Sequence, residues 1–139
     1  MMKTLFINEK IKYDGSQLRP LYAYENYGLM GNSIISWIGE CDVQLGHMVD
    51  LEDKIANSKI CGKEMLHFIV EFFDSSLLAA VALQRLFASL VKDQIFLLSL
   101  SHTLVREGDD LYYVFEGGRR KLSISISSKS SVSCMIHFA

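Results

Sequence analysis

The chain has 139 residues, half of them apolar and 22% charged, with a formal net charge of -2 at pH 7. One globular domain of this size buries roughly two-thirds of its unfolded surface. The near-neutral balance excludes a general electrostatic pull toward nucleic acid, and no uncharged stretch approaches the ~18 residues of a membrane span.

The three cysteines, Cys41, Cys61 and Cys134, are odd in number and form no C-x-x-C pair, so neither a zinc site nor a disulfide framework is expected. A reducing cytoplasm fits that usage. The apolar run in MMKTLFINEK is too short for a signal peptide.

In chain order, Lys3–Asn8 (KTLFIN) predicts a first strand. Tyr13–Pro20 (YDGSQLRP) is a loop, with Asp14-Gly15 as its turn dipeptide and Pro20 placed to open a helix. That helix is expected over Leu21–Met30, ending near Gly31. Ser33–Cys41 is rich in β-branched residues and reads as a strand. Asp50–Ala56 carries an N-cap signal, Asp50 with Asp53 three residues on, and predicts a short helix. Met65–Phe73 (MLHFIVEFF) reads as a strand from its length and its Phe, Ile and Val content.

Leu77–Val91 predicts a helix that either breaks near Asp93 or continues through Ile95–Leu100. Leu83, Leu86, Phe87 and Leu90 fall at i, i+3, i+4, i+7 and are expected to form its core stripe. Gln84, Arg85, Ser89 and Lys92 then occupy the opposite face.

The last third predicts β structure. A Gly117-Gly118 turn would pair Glu116 with Arg119 and Tyr113 with Leu122. Leu111, Tyr113, Leu122 and Ile124 then share an apolar face, and Asp110, Tyr112, Val114, Lys121, Ser123 and Ser125 share the other. In Ser131–Ala139 (SVSCMIHFA), Val132, Cys134, Ile136 and Phe138 alternate with Ser131, Ser133, Met135 and His137. The chain stops inside this apolar pattern. Either the strand closes a sheet edge, or the chain is shorter than the fold it belongs to. An apolar edge invites pairing with another copy, so a homo-oligomer is expected.

Lys121 is the first candidate for chemistry. Its neighbours on one strand face, Ser123, Ser125 and Ser127, are small and hydroxylic, which leaves space beside one long cation. A solvated hairpin tip with Arg119 and Arg120 is the competing reading. Arg19 beside Asp14 reads either as a local ion pair or as an anion clamp. His67 and His137 read as wall histidines as readily as site residues. Asp50, Glu52 and Asp53 are explained by a helix N-terminus. His47 and His102 carry no partner pattern.

Nearly the whole chain resembles an uncharacterised conserved family, a domain of unknown function, in its NEKIKYDGSQLRPLYAY, MVDLEDKIA, EMLHFIVEFFD and GGRRKLSISIS segments. No activity comes with that family, and the resemblance implies a fold that continues past Ala139. From about residue 60 the order of elements is also similar to the biotin and lipoate protein ligases. Gly62 and His67, the Leu77–Val91 helix, Asp109-Asp110, GGRRKLS and His137 follow one another as the glycine-rich loop, histidine strand, helix, Asn-Asp pair, "GRKISG" strand and terminal His-Gly do there.

That resemblance implies an α+β fold with a largely antiparallel sheet flanked by helices. It also implies a site in which Lys121 holds the carbonyl and phosphate of an acyl-adenylate while Asp110 helps to place a metal on the phosphates. Negative charge builds between two oxyanions in such chemistry, and a preplaced cation stabilises it. ATP and Mg²⁺ would be the cofactors, a small-molecule acid or nucleotide the ligand, and Arg19, Asp14, His67, Ser123 and His137 the substrate-binding set. The chain departs from that pattern. Gly62 is the only glycine in ICGKEMLHF, and Ile124 stands where the ligases have the glycine of "KISG". The alternative is a non-catalytic small-molecule-binding or self-assembling module on the same fold.

Overall fold

Alternating side chains along Ser33–Asp42 (β2) and Cys61–Phe73 (β3) build two long antiparallel strands at the centre of a five-stranded sheet. Lys3–Ile7 (β1) adds in parallel to β2, and Ser133–Phe138 (β8) and Ser125–Lys129 (β7) complete the order β1-β2-β3-β8-β7. The computed structural model describes residues 1–56, 59–98 and 103–139. His102 and Leu100 therefore lie outside the described residues, as does the side chain of Asp53.

Strand register sorts the sheet into two faces. One carries Ile35, Trp37, His67, Ile69, Glu71, Met135 and His137. It is covered by the Tyr13 loop and by a short helix, Tyr22–Tyr27 (α1). The other carries Ile34, Phe68, Val70, Phe72, Cys134, Ile136 and Phe138, packed under the helix Leu77–Leu97 (α3). A second, smaller sheet is the meander Leu104–Glu107 (β4), Asp110–Phe115 (β5) and Gly118–Lys121 (β6). Leu51–Ile55 (α2) lies between β2 and β3, with the Asp50 carboxylate accepting from Glu52 N–H at 2.8 Å. The result is an α+β fold with mostly antiparallel strands, and none of its described helices is long and apolar enough to cross a membrane.

Several expectations are corrected. The apolar stripe of α3 is not Leu83-Leu86-Phe87-Leu90. Leu86 and Leu90 are 53% and 52% exposed, whereas Ala80, Gln84 and Ala88 are buried. Small residues let the helix lie close to the sheet, and Leu83, Phe87 and Val91 pack on either side of that seam. Gln84, assigned to the solvent face, is a buried tie. Its amide donates to Asp109 at 2.8 Å and Ser125 at 2.7 Å and accepts from Ser127 at 2.6 Å. The helix continues at least to Leu97 rather than breaking at Asp93.

Helix α1 stops at Gly28, three residues short of Gly31, because Gly28 adopts φ 67 and closes the helix. The hairpin turn is Glu116-Gly117, so Tyr112 pairs with Lys121 and Tyr113 with Arg120. Gly117 supplies the left-handed φ of 91 that the turn requires. The slip is one residue on each strand, so Lys121 still shares a face with Asp110 and Tyr112. The expected row of serines beside it does not form on one strand, because β6 ends at Lys121 and Ser125 and Ser127 belong to β7 of the larger sheet. Strand β8 does not close an edge. It lies between β3 and β7, and all six of its residues are buried.

Candidate functional site

Tyr13 is fastened by its backbone to the end of β2. It donates to Glu40 at 2.8 Å and accepts from Asp42 at 2.9 Å. This places its ring on His137 of β8, with centroids 3.7 Å apart and planes 13° from parallel. His67 of β3 stacks next to Trp37 of β2, at 5.2 Å and 19°. Tyr13, Trp37, His67 and His137 are all buried. The chain that carries the Tyr13 loop crosses β2 at Gly39, where a side-chain carbon would overlap the Ile11 carbonyl. Trp37 Nε1 donates to that same carbonyl at 2.9 Å.

The tautomers follow from the partners. A carbonyl only accepts, so His67 Nε2 carries the proton that reaches Gly39 O at 3.1 Å. Burial pushes the pKa of His67 down, and that of His137 well down, with the neighbouring imidazole adding to the effect on His137. Both rings are neutral at pH 7. His67 Nδ1 therefore accepts, and His137 Nε2–H donates to it at 3.1 Å. Among the described residues no hydrogen bond reaches His137 Nδ1, and no fully buried side-chain nitrogen or oxygen lacks a partner. His137 Nδ1 thus lies at the wall of the cavity that this histidine lines.

That cavity has a volume of about 410 Å³. Met65, Ile126 and His137 line it from the sheet, Tyr13 from the loop over it, Ile124 from the approach to β7, and Val43, His47, Met48, Asp50, Lys59 and Ile60 from the segment between β2 and β3. Lys121, Leu122 and Ser123 line it from the end of β6. Lys121 Nζ lies 2.8 Å from the Asp110 carboxylate, the lysine side chain half exposed and the aspartate less so. A second cavity of about 590 Å³ lies under α3, is almost wholly apolar, and shares Met65, Leu122 and Ser123 with the first.

Of the residues chosen from sequence, Lys121, Ser123 and His137 line the first cavity, Asp110 is bonded to its lysine, and His67 stands behind His137. Ser123 is also a strut, since its hydroxyl accepts from Leu111 N–H at 2.8 Å. Of the two readings of Arg19 beside Asp14, the local ion pair does not form, and neither residue lines the cavity where an anion clamp would act. Arg19 is an exposed partner of Glu25 and lies over the Tyr22 ring at 5.2 Å. The Asp14 carboxylate accepts from the N–H and hydroxyl of Ser16, chiefly the latter of which lowers its pKa. The turn consumes Asp14 before any ligand can.

Gly62 stands alone where the ligases have several glycines. A carbon added to it would meet Met65 Sδ at 2.6 Å, so the missing side chain makes room for Met65. Among the described residues no cluster of three His, Cys, Asp or Glu could hold a metal ion. Tyr13, Trp37, Gly39, His47 and Lys59 were not singled out from sequence. His47, dismissed for want of a partner, bonds the Asp14 carbonyl through Nδ1 at 3.1 Å. The Cys41 thiol, pushed up to about 11 by burial, is a core group and no nucleophile.

Comparison with known proteins bears on the family and the fold. The sequence profile of a domain of unknown function (DUF366) matches residues 2–139. An uncharacterised protein of Methanocaldococcus jannaschii is 34% identical over 141 residues, covering 98% of this chain and 61% of that protein. A solved structure of a protein of unknown function from Pyrococcus horikoshi superposes with a TM-score of 0.91 at 38% identity, over 99% of this chain and 71% of its own. The lipoate protein ligase of a bipartite lipoylation system from Thermoplasma acidophilum superposes with a TM-score of 0.55 at 12% identity, over 99% of this chain and 61% of its own. That last likeness shows a shared fold.

Proposed function

The chain belongs to the DUF366 family, and from that premise we propose that it binds a small carboxylic acid in the cavity beside Lys121. One observation carries the reading: a half-apolar cavity of about 410 Å³ has the Lys121–Asp110 pair at its wall. A carboxylate entering there exchanges water for a cation already held in place, while Val43, Met65, Ile124 and Ile126 receive the apolar body of the ligand. Lys59 and His47 line the same space and add to its affinity for an anion. The finer reading is that the acid is bound as, or converted to, its adenylate for acyl transfer in the cytoplasm. The ligase-like fold supports that step, and the walls at Gly62 weigh against it.

Thermal unfolding in the presence of medium-chain acids, with and without ATP and Mg²⁺, tests both levels. A ligand at ~100 times its Kd adds about 2.7 kcal/mol. Stabilisation by an acid in the parent and its loss in Lys121→Ala is the expected result. Stabilisation that requires ATP would establish the adenylate reading. Absence of any shift in a folded sample would remove the acid site. The second reading, a self-assembling module, is favoured by the outward leucines of α3: Leu78, Leu86, Leu90 and Leu97 are all exposed. Sedimentation showing a monomer at high concentration would end it.

A further inference from the structure

We infer that His137 Nδ1 is the specificity-determining acceptor of this cavity, so that the natural ligand carries an O–H or N–H donor besides its acid group. The inference rests on the carboxylate reading above and deepens it.

Three observations meet at one atom. The Gly39 carbonyl fixes the proton of His67 on Nε2. His67 then has only an acceptor to offer, and His137 must turn its own N–H toward it. The remaining nitrogen, His137 Nδ1, is left as a lone pair at the cavity wall. The ring is 2% exposed and is clamped by Tyr13 at 3.7 Å, so it cannot swing away to another partner. A ligand that fills the cavity covers this acceptor, and covering it without a hydrogen bond costs free energy. A ligand that offers a hydrogen bond there is favoured over its analogue without one.

The same geometry separates an acceptor from a base. A proton taken up on Nδ1 would create a buried cation against Tyr13 and His67, neither of which carries negative charge to hold it; the carboxylate on the cavity wall, Asp50, comes from the segment between β2 and β3 and is not hydrogen-bonded to the ring. His137 therefore stays neutral and reads the ligand without deprotonating it. An acid with a hydroxyl, amide or amine on its chain satisfies both ends of the site. A plain fatty acid satisfies only Lys121.

The experiment has two readouts on the full chain. NMR of ¹⁵N-labelled histidine reports which nitrogen carries each proton, and Nε2–H is expected on both rings. Affinities are then measured for octanoate and for hydroxyoctanoates with the hydroxyl at successive carbons. One isomer should bind about three- to tenfold tighter than octanoate. His137→Gln keeps a donor toward His67 but removes the acceptor at the Nδ1 position, so it should erase the preference, bringing every isomer to the affinity of octanoate measured in the same variant. His137→Asn places an amide oxygen near the Nδ1 position and should restore part of the preference, which a merely structural role would not do. Lys121→Ala should weaken every acid alike. A proton on His137 Nδ1, the absence of any preferred isomer, or a preference that survives His137→Gln overturns the inference while the acid site stands. If no acid binds the parent, the carboxylate reading fails and this ligand class fails with it.

Discussion

The two faces of the five-stranded sheet solve the same packing problem in different ways. Under α3 the contact is tight and aliphatic, with Ala80 and Ala88 at the seam and one polar residue, Gln84, whose amide is satisfied from both ends. Under the Tyr13 loop the contact is made of rings, and its polar atoms form a directed chain from Gly39 through His67 to His137 that ends at a cavity. Among the described residues the closed face leaves no fully buried side-chain nitrogen or oxygen without a partner. The open face has a bond left to offer at His137 Nδ1. A sheet face becomes a site where its hydrogen bonding is left incomplete by one atom, with a cation nearby on a different element.

The largest expected effect breaks the ring face. Trp37→Ala removes the ring stacked on His67 and the bond to Ile11, and should cost about 3–5 kcal/mol in denaturant unfolding. A cost below 1 kcal/mol would mean that the ring cluster does not hold the loop. Gly39→Ala tests the crossing of the Tyr13 loop over β2. The added methyl meets backbone rather than a flexible side chain, so a loss of about 3 kcal/mol is expected. A wild-type midpoint for this variant would contradict the close approach.

Gln84→Leu probes the closed face and should cost about 1–3 kcal/mol, because Ser127 and Ser125 lose a buried partner. Hydrogen exchange should locate the loosening between α3 and β7. An unchanged or stabilised protein would show that the face works as well without its polar tie.

The pH dependence belongs to the ring face alone. Above about pH 6.5 both histidines are neutral folded or unfolded, and their contribution is constant. Below that value the unfolded chain takes up protons that the buried rings refuse, since their pKa values are lowered by desolvation. Stability should therefore fall with acidification, by at most about 1.4 kcal/mol per pH unit for each ring. Denaturation midpoints from pH 7.5 to 5.5 should show this slope, and His137→Gln should flatten it. Equal slopes in both proteins would assign the acid sensitivity elsewhere. The smallest effect is expected at the hairpin. Arg119→Ala removes the exposed pair with Glu107 and the contact over Tyr112, and should cost less than about 1 kcal/mol.

Much of the architecture is legible in single stretches. The strand expected over Ser33–Cys41 from its β-branched content runs to Asp42, the one expected over Met65–Phe73 starts four residues earlier at Cys61, and the alternation in β8 separates His137 from Ile136 correctly. That Asp110 and Lys121 share a face follows from hairpin parity, which a slip of one residue on each strand does not disturb; their ion pair is seen only in the structure. Helix α3 shows the limit. It is apolar around most of its circumference, so periodicity alone cannot choose the buried side, and the alanines that do choose it carry little hydrophobic signal. The pairing of Arg19 with Asp14 failed for a related reason. Sequence proximity cannot reveal that Ser16 and Glu25 lie closer to their charges.

What the amino-acid sequence determined by itself is local: element types, the alternation of faces, the glycine that turns the hairpin, and the lysine and aspartate that share one face. Tertiary structure decided the site. Tyr13, Gly39, His67, His137 and Lys121 come from four separate strands and a loop, and no spacing in the chain encodes their meeting. Their roles depend on direction. The Gly39 carbonyl can only accept, and that one constraint, passed through two buried rings, sets the atom that faces the cavity.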